Sequence, residues 1–486
     1  MLKVLKKLKE SWVSVIAIVI LLAIQAAGDL TLPDYTSKIV NIGIQNGGIE
    51  NVAPKVIRKS EMENLLIFTE EDDKILSLYE EISKEKLDNK EYEKLVKKYP
   101  ALENEALYKI KKVNKNEQNE LNSIMAKPLM IISMLENEET SEQMKEQMLE
   151  QITKNQETQN IQTTENAQST QSEQIAQAKI QEQQIQEMQN MSLIEIIKQM
   201  PKEQLEKMLE NINQKINDMQ ESILEQAAIQ EVKNEYKAIG IDTNQIQNQY
   251  IIITGLKMLG ISFIIMISAI SIMCLSARVA ARLAKTLREK VFKKVLSFSN
   301  KEFSEYSTAS LITRSTNDIQ QIQGLIAILF RVLVYAPIIG IGGFLRVLRQ
   351  SDNSMAWIIG VAILAILFVV GTLFIIAMPR FKKLQQLIDK LNLVAREILT
   401  GLPVIRAFNT EKKEEKRFDT ANIELTKTNL FVNRAMSFMM PTLMLIMNGI
   451  SLLIVWVGAH GIDNGTMQVG NMMAFIQYTM QIVMSF

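Results

Sequence analysis

Between Tyr250 and Phe298 the sequence holds a helical pattern without a single proline, and only its first half is apolar enough to lie in lipid. At about 1.5 Å per residue such a helix is roughly 70 Å long, against a hydrocarbon core of about 30 Å, so the remainder must stand in water. A chain of this kind makes membrane helices with long protruding stalks. Stalks carry force or information between a membrane pathway and a soluble partner, whereas an anchor stops at the headgroups.

The formal net charge of zero over 486 residues conceals two oppositely charged parts. Residues 46–247 hold 24 Lys+Arg against 38 Asp+Glu, net −14, and the rest holds 30 basic and 16 acidic residues, net +14. Basic residues flanking membrane spans are retained on the cytoplasmic side, and they crowd Lys3 to Lys9, Arg278 to Lys301 and Arg380 to Arg417. These three blocks are therefore expected in the cytosol, and nothing in the charge pattern points to nucleic acid. The single cysteine, Cys274, lies in an apolar run and excludes an internal disulfide framework. The basic start resembles a signal peptide, but Trp12–Leu32 approaches a full span and lacks a small-x-small cleavage site, so it reads as a retained first helix.

Apolar runs predict spans near Trp12–Leu32, Leu256–Ser276, Ile322–Leu345, Met355–Met378, Ser437–Val457 and, incompletely, Met472–Phe486. The expected fold is an all-α membrane protein of six long helices with cytosolic stalks, placed in a bacterial plasma membrane and cut inside its sixth helix. Residues 1–48 form the N-terminus and first helix, 49–247 an extracytoplasmic helical insertion, and 248–486 the second to sixth helices. Trp12, Trp357 and Trp456 fall near predicted span ends, where an indole buries its ring and keeps its N–H wet.

Within the insertion, 15 glutamines between Gln143 and Gln189, with few large apolar residues, predict thin helix or partial disorder. Leu205, Leu209, Ile212, Ile216, Met219 and Ile223 are spaced as the seam of a coiled coil or helical hairpin. Pro201 suits that helix's first turn and Gly240 a stop before the second span, and another amphipathic segment runs from Glu70 to Lys98.

Phosphate-loop, H-E-x-x-H, Cys-x-x-Cys and G-x-S-x-G spacings are all missing, which predicts a chain that binds no cofactor or metal and catalyses nothing by itself. The lone His460, in the segment HGIDNG, reads as a turn residue on the exterior. Arg331 lies inside the third apolar run, where a buried guanidinium costs at least about 2.5 kcal/mol, so it faces a wet cavity or a partner, or else snorkels to the headgroups. Pro337 with Gly340, Gly342 and Gly343 predicts a kinked, closely packed helix nearby, which also carries Tyr335. Met440, Met444 and Met473 belong to a methionine-rich surface that suits several apolar ligands and equally suits irregular packing. Gln477 and Gln481, with Tyr478 beside them, place polar groups on one helix face at membrane depth, for water and substrate or for a neighbouring helix. Together Arg331, Tyr335, Met440, Met444, Met473, Gln477, Tyr478 and Gln481 form the candidate substrate pathway.

Two polar turns interrupt the stalks. Ser297–Ser307 mixes helix-capping Ser and Asn with Phe303 and Tyr306, and Leu399–Asn409 puts Gly401 and Pro403 at an expected break with Val404, Ile405 and Phe408 on a short apolar face. They are connecting loops or docking knobs, and their pairing favours docking.

Three stretches, LPDYTSKIVNIGIQNGGI (Leu32–Ile49), LREKVFKKVLSFSNKEFSEYSTASLITRSTNDIQQIQ (Leu287–Gln323) and REILTGLPVIRAFNTEKKEEKRF (Arg396–Phe418), resemble the transmembrane domain of a bacterial ATP-binding cassette exporter. The likeness covers residues 1–48 and 250–486. It implies a half-transporter that pairs with a second, similar subunit, as a heterodimer or a homodimer, around a route for amphipathic drugs, lipids or peptides. It also implies that Ser299–Tyr306 and Leu399–Arg406 are coupling helices resting on nucleotide-binding domains, with Asn300, Lys301, Glu302, Phe303, Tyr306, Thr400, Gly401, Val404 and Arg406 as contacts. ATP and magnesium would belong to those domains. A membrane sensor with an exterior ligand-binding module, and an adhesion or assembly protein, are the competing classes.

Overall fold

The computed structural model describes residues 11–137, 141–142, 145, 192–198, 200, 202–217, 219–299, 301–302, 306, 308–348 and 355–485. The contacts divide the chain into two units, one of Met1–Ser37, Leu256–His460 and Asn471–Phe486, the other of Lys38–Gly255 and Gly461–Gly470.

Long helices dominate. Thr243–Leu296, Ala356–Ala407 and Glu411–Asp463 run for 54, 52 and 53 residues, about 80 Å each and more than twice the thickness of a hydrocarbon core. Five helical stretches, these three with Trp12–Gln45 and Thr308–Leu348, are long and apolar enough to cross a bilayer. The protein is thus an α-helical, multi-pass membrane protein. Val469–Ser485 is a further apolar helix of 17 residues, about 26 Å. Leu259, Phe263, Phe368, Phe374, Leu445 and Leu452 are exposed on these helices, as lipid or another apolar surface requires.

Local chemistry explains their irregularities. Pro337 lacks the N–H that an α-turn would use, and the preceding Arg331–Tyr335 is a π-turn. Pro379 and Pro403 lie inside Ala356–Ala407, and Pro441 inside Glu411–Asp463. Each removes one backbone bond, and the many bonds on either side carry the helix through. The expected break at Gly401 and Pro403 is accordingly displaced: the helix continues to Ala407, and the chain turns at Phe408–Thr410, with Asn409 left-handed at φ 50°. His460 lies in the last turns of Glu411–Asp463, not in a loop, with Nδ1 2.9 Å from the Trp456 carbonyl.

The insertion unit is not purely helical. β1 (Val56–Arg58), β2 (Tyr79–Ile82) and β3 (Leu107–Ile110) form an antiparallel sheet in the order β1-β3-β2, with Ile57 and Glu81 both opposite Tyr108. Strands of three or four residues are too short to display a period of two, so the sequence concealed them. The expected amphipathic helix from Glu70 to Lys98 is divided by β2 into Asp72–Leu78 and Asn89–Lys98. Lys115–Glu136, whose start is fixed by a reciprocal Asn114–Glu117 capping box, packs along Glu221–Ile239. Ile57, Met62, Leu65, Leu107, Met125 and Val232 close the core between sheet and helices.

The predicted coiled-coil seam falls on two helices, Lys202–Asn217 and Glu221–Ile239. Leu205, Leu209, Ile212, Ile216 and Met219 turn inward onto the unit's own core, because a globular core offers that stripe the same burial as a second strand of coiled coil. Glu221–Ile239 ends at Gly240, φ 88°, as predicted for a stop signal. The glutamine run lies outside the described residues, Lys145 excepted.

Candidate functional site

In the membrane unit, the end of the first apolar helix gathers polar groups from three other helical segments. Tyr335 donates to Asp29 Oδ2 at 2.6 Å, and Gln481 Nε2 donates to the Asp29 carbonyl at 2.9 Å. Farther along, one oxygen of Asp34 accepts from the Tyr478 hydroxyl and the other from the Arg346 guanidinium, whose second nitrogen lies 3.3 Å from Thr31 Oγ1. Ser37 donates to Asn471 Oδ1 at 2.8 Å. Tyr478 is fully buried.

Small residues bring the backbones close enough for these bonds. A Cβ on Gly28 would meet Ile265 at 2.6 Å, one on Gly342 would meet Leu30 at 2.8 Å, and one on Gly343 would meet Ile482 at 2.9 Å. Chemically the cluster is a latch. Arg346 compensates Asp34, the tyrosines are donors, and no nucleophile stands beside a base. Any rearrangement that separates the first helix from the segments bearing Tyr335, Arg346 and Tyr478 must replace these bonds, since unpartnered polar groups in hydrocarbon are costly.

Of the eight residues proposed from sequence for a pathway, Tyr335, Tyr478 and Gln481 meet in this cluster. Gln477 is half-buried on the same helix as Tyr478 and joins none of these bonds. Met473 is exposed there, and Met440 and Met444 are exposed on Glu411–Asp463. The Arg331 backbone opens the π-turn, and its side chain lies outside the described residues. Asp29, Asp34 and Arg346 were missed because each lies at the end of an apolar run, where a charge is unremarkable.

The first stalk turn is built by its own side chains. Ser299 N–H donates to Glu302 Oε2 at 2.9 Å and Glu302 N–H to Ser299 Oγ at 3.3 Å, a reciprocal cap that holds the Glu302 carboxyl below its usual range. Tyr306 stacks on Phe298 with ring centroids 6.0 Å apart, Lys294 lies 6.0 Å over Phe298, and Arg314 lies 5.1 Å over Tyr306. Cation and ring thus alternate across the turn. Lys301 and Glu302 are exposed, while Asn300 and Phe303 lie outside the described residues. At the second turn Thr400, Gly401, Val404 and Arg406 all belong to the helix itself, and Leu399, Val404 and Phe408 are 72%, 61% and 75% exposed.

The insertion holds a second polar cluster that sequence reading overlooked. Arg58 makes a double hydrogen bond to Glu235, at 2.9 and 2.7 Å, and its backbone N–H donates to the same carboxylate at 2.7 Å. That commits the arginine. Glu61 and Glu231, 3% and 2% exposed, keep Oε1 and Oε2 respectively without a hydrogen-bond partner among the described residues. Burial, reinforced by Glu136 and Glu235, pushes the Glu61 carboxyl up to about 7, and burial, reinforced by Glu136, Glu61 and Glu235, pushes Glu231 up to about 8.

A family model for the ABC transporter transmembrane region matches residues 205–486, more than half of the chain. The chain belongs to that family. Among similar curated proteins, an uncharacterised ABC transporter ATP-binding protein of Mycobacterium bovis is 36% identical over 235 residues, 48% of this chain and 40% of the relative. An uncharacterised ABC transporter ATP-binding protein of Bacillus subtilis is 30% identical over 234 residues, 48% and 41% of the two chains. An ATP-dependent lipid A-core flippase of Pseudomonas aeruginosa is 28% identical over 208 residues, 41% and 33%. The chain thus spans about two fifths of the length of the first two ABC transporter relatives.

Proposed function

We propose that this ABC transporter membrane domain forms the membrane-spanning part of an ATP-driven exporter in a bacterial plasma membrane, with its stalk turns in the cytosol and its insertion outside. The carrying observation is the pair of helices Ala356–Ala407 and Glu411–Asp463, each more than twice as long as a hydrocarbon core is thick, joined by the turn Phe408–Thr410 with Phe408 in it and Val404 just before it exposed. A rigid hairpin of that length transmits the movement of a domain docked at its tip into rocking of the membrane segments. The capped, ring-stacked turn at Ser299–Tyr306 supplies a second docking point. ATP and magnesium act on nucleotide-binding domains docked there, and this chain supplies no catalytic group.

A second, similar subunit completes the pathway, and the exposed Met440, Met444 and Met473 supply an apolar, adaptable wall for amphipathic drugs, lipids or peptides. The Asp34–Arg346–Tyr478 latch holds one arrangement and releases in the other. The test is reconstitution of the complete transporter in liposomes, with ATP-dependent movement of an amphipathic dye and dye-stimulated ATPase as readouts. Val404→Asp with Phe408→Asp should leave nucleotide binding intact and abolish the stimulation. Neither dye movement nor stimulation in the unaltered protein would refute export.

A further inference from the structure

Within the insertion unit lies a cavity of about 670 Å³, formed where the stretch that follows Gly48 meets the stretch that follows Gly240. Its size is that of a small-molecule site. Both glycines are left-handed, at φ 82° and 88°, and both stand against neighbours: a Cβ on Gly48 would lie 2.8 Å from the Ile246 carbonyl oxygen and one on Gly240 2.9 Å from the Pro100 ring. The cavity walls are therefore fixed by backbone geometry.

The lining is amphipathic. Ile49, Val56 and Ile241 face it beside the rings of Tyr99 and Tyr236. Its charges run against those of the unit, since residues 46–247 carry net −14 whereas the lining contributes Lys55, Lys97 and Lys98 against Glu50 and Asp242. Asp242 is already engaged, accepting from the backbone N–H groups of Asn244 at 2.9 Å and Gln245 at 3.2 Å as the cap of the helix that follows. Lys98 sits 5.2 Å over the Tyr99 ring, and Lys55 and Lys97 make no ion pair among the described residues. Tyr236 is 6% exposed, and its oxygen accepts from the Lys55 N–H at 2.8 Å. A phenol that accepts still has its own proton to donate, and no described residue takes it.

We infer that this cavity binds an amphipathic anion, its carboxylate or phosphate head held by Lys55, Lys97 and the Tyr236 hydroxyl, and its apolar body lying against Ile49, Val56 and Ile241. The unspent hydroxyl donor and the two uncompensated ammoniums select negative charge, and the aliphatic wall selects a body that water disfavours. The inference stands apart from the export reading and does not rely on it.

The full chain in phosphatidylcholine nanodiscs is irradiated with a diazirine-bearing decanoate, and labelled peptides are mapped by mass spectrometry. Saturable labelling is expected on residues 48–56, 97–99 and 236–250, suppressed by excess decanoate and untouched by decyltrimethylammonium. Lys55→Glu with Lys97→Glu should weaken labelling about tenfold or more, the equilibrium effect of losing two charge contacts. Lys94→Glu with Lys112→Glu, two exposed lysines outside the lining, should leave it unchanged and controls for net charge and folding. Labelling that rises without saturation, competition by the cation equal to that by the anion, or indifference to the Lys55 and Lys97 reversal would each overturn the inference. Phosphatidylglycerol in the discs separates the sources: competition identifies a bilayer lipid as the anion, and undiminished labelling identifies a soluble one.

Discussion

Replacing Glu231 by Gln should flatten a pH dependence that the buried acidic cluster imposes on the insertion. In the folded unit the Glu231 carboxyl titrates at about 8 and that of Glu61 at about 7, whereas in an unfolded chain both return to about 4.5. The folded state therefore holds more protons than the unfolded one between these limits. Stability is fully present below about pH 4.5 and is lost as pH rises towards 8. With one proton of difference the loss is on the order of 1 kcal/mol per pH unit, and coupling between the two acids spreads it over the pair. Arg58 does not rescue them, because Glu235 already occupies it at 2.7 Å. Hydrogen exchange on peptides from Lys115–Glu136 and Glu221–Ile239, corrected for intrinsic exchange, reads the opening free energy at pH 5.5, 6.5 and 7.5. Protection should fall across that series in the unaltered chain and fall less steeply in Glu231→Gln, which keeps the shape of the side chain without its proton. Protection that is constant or rises with pH, or a slope that Glu231→Gln leaves unaltered, would refute the reasoning.

Other consequences can be measured on the same protein. Asp34→Asn leaves Arg346 facing a neutral amide and should cost about 1 kcal/mol, the pair being partly exposed, seen as a lower melting temperature in detergent. Ser299→Ala removes the cap of the first stalk turn and should raise hydrogen exchange locally by about 1 kcal/mol of lost protection, with little change in the insertion. Gly240→Ala forces a methyl group onto Pro100 in a left-handed turn and should destabilise the insertion by about 1–2 kcal/mol, detectable as faster proteolysis there.

The long helices were legible because apolar composition and the absence of proline act over many residues, so single exceptions average out. Thr243–Leu296 is the case in point, its apolar half and charged half running on as one helix. Short elements lack that averaging. Tyr79–Ile82 reads as part of an amphipathic helix until its pairing with Leu107–Ile110 is known, and that pairing is a contact between distant residues. The Leu205–Met219 stripe was read correctly as apolar, but its partner could not be: a helix records that it must be buried, not what covers it.

The same asymmetry governs the site residues. Tyr335, Tyr478 and Gln481 stood out because polar groups inside apolar runs demand partners, and the structure supplies those partners from Asp29 and Asp34, which lie at the end of a run where a charge is unremarkable. Glu61, Glu231 and Glu235 were invisible for a related reason, since acids are common on a domain of net charge −14 and only burial distinguishes these three. Met440 and Met444, by contrast, were proposed from composition and remain exposed. If a second subunit covers that face, cysteines placed at positions 440 and 444 should cross-link between subunits in the assembled transporter. Absence of that cross-link in the assembled protein would leave these methionines to the lipid.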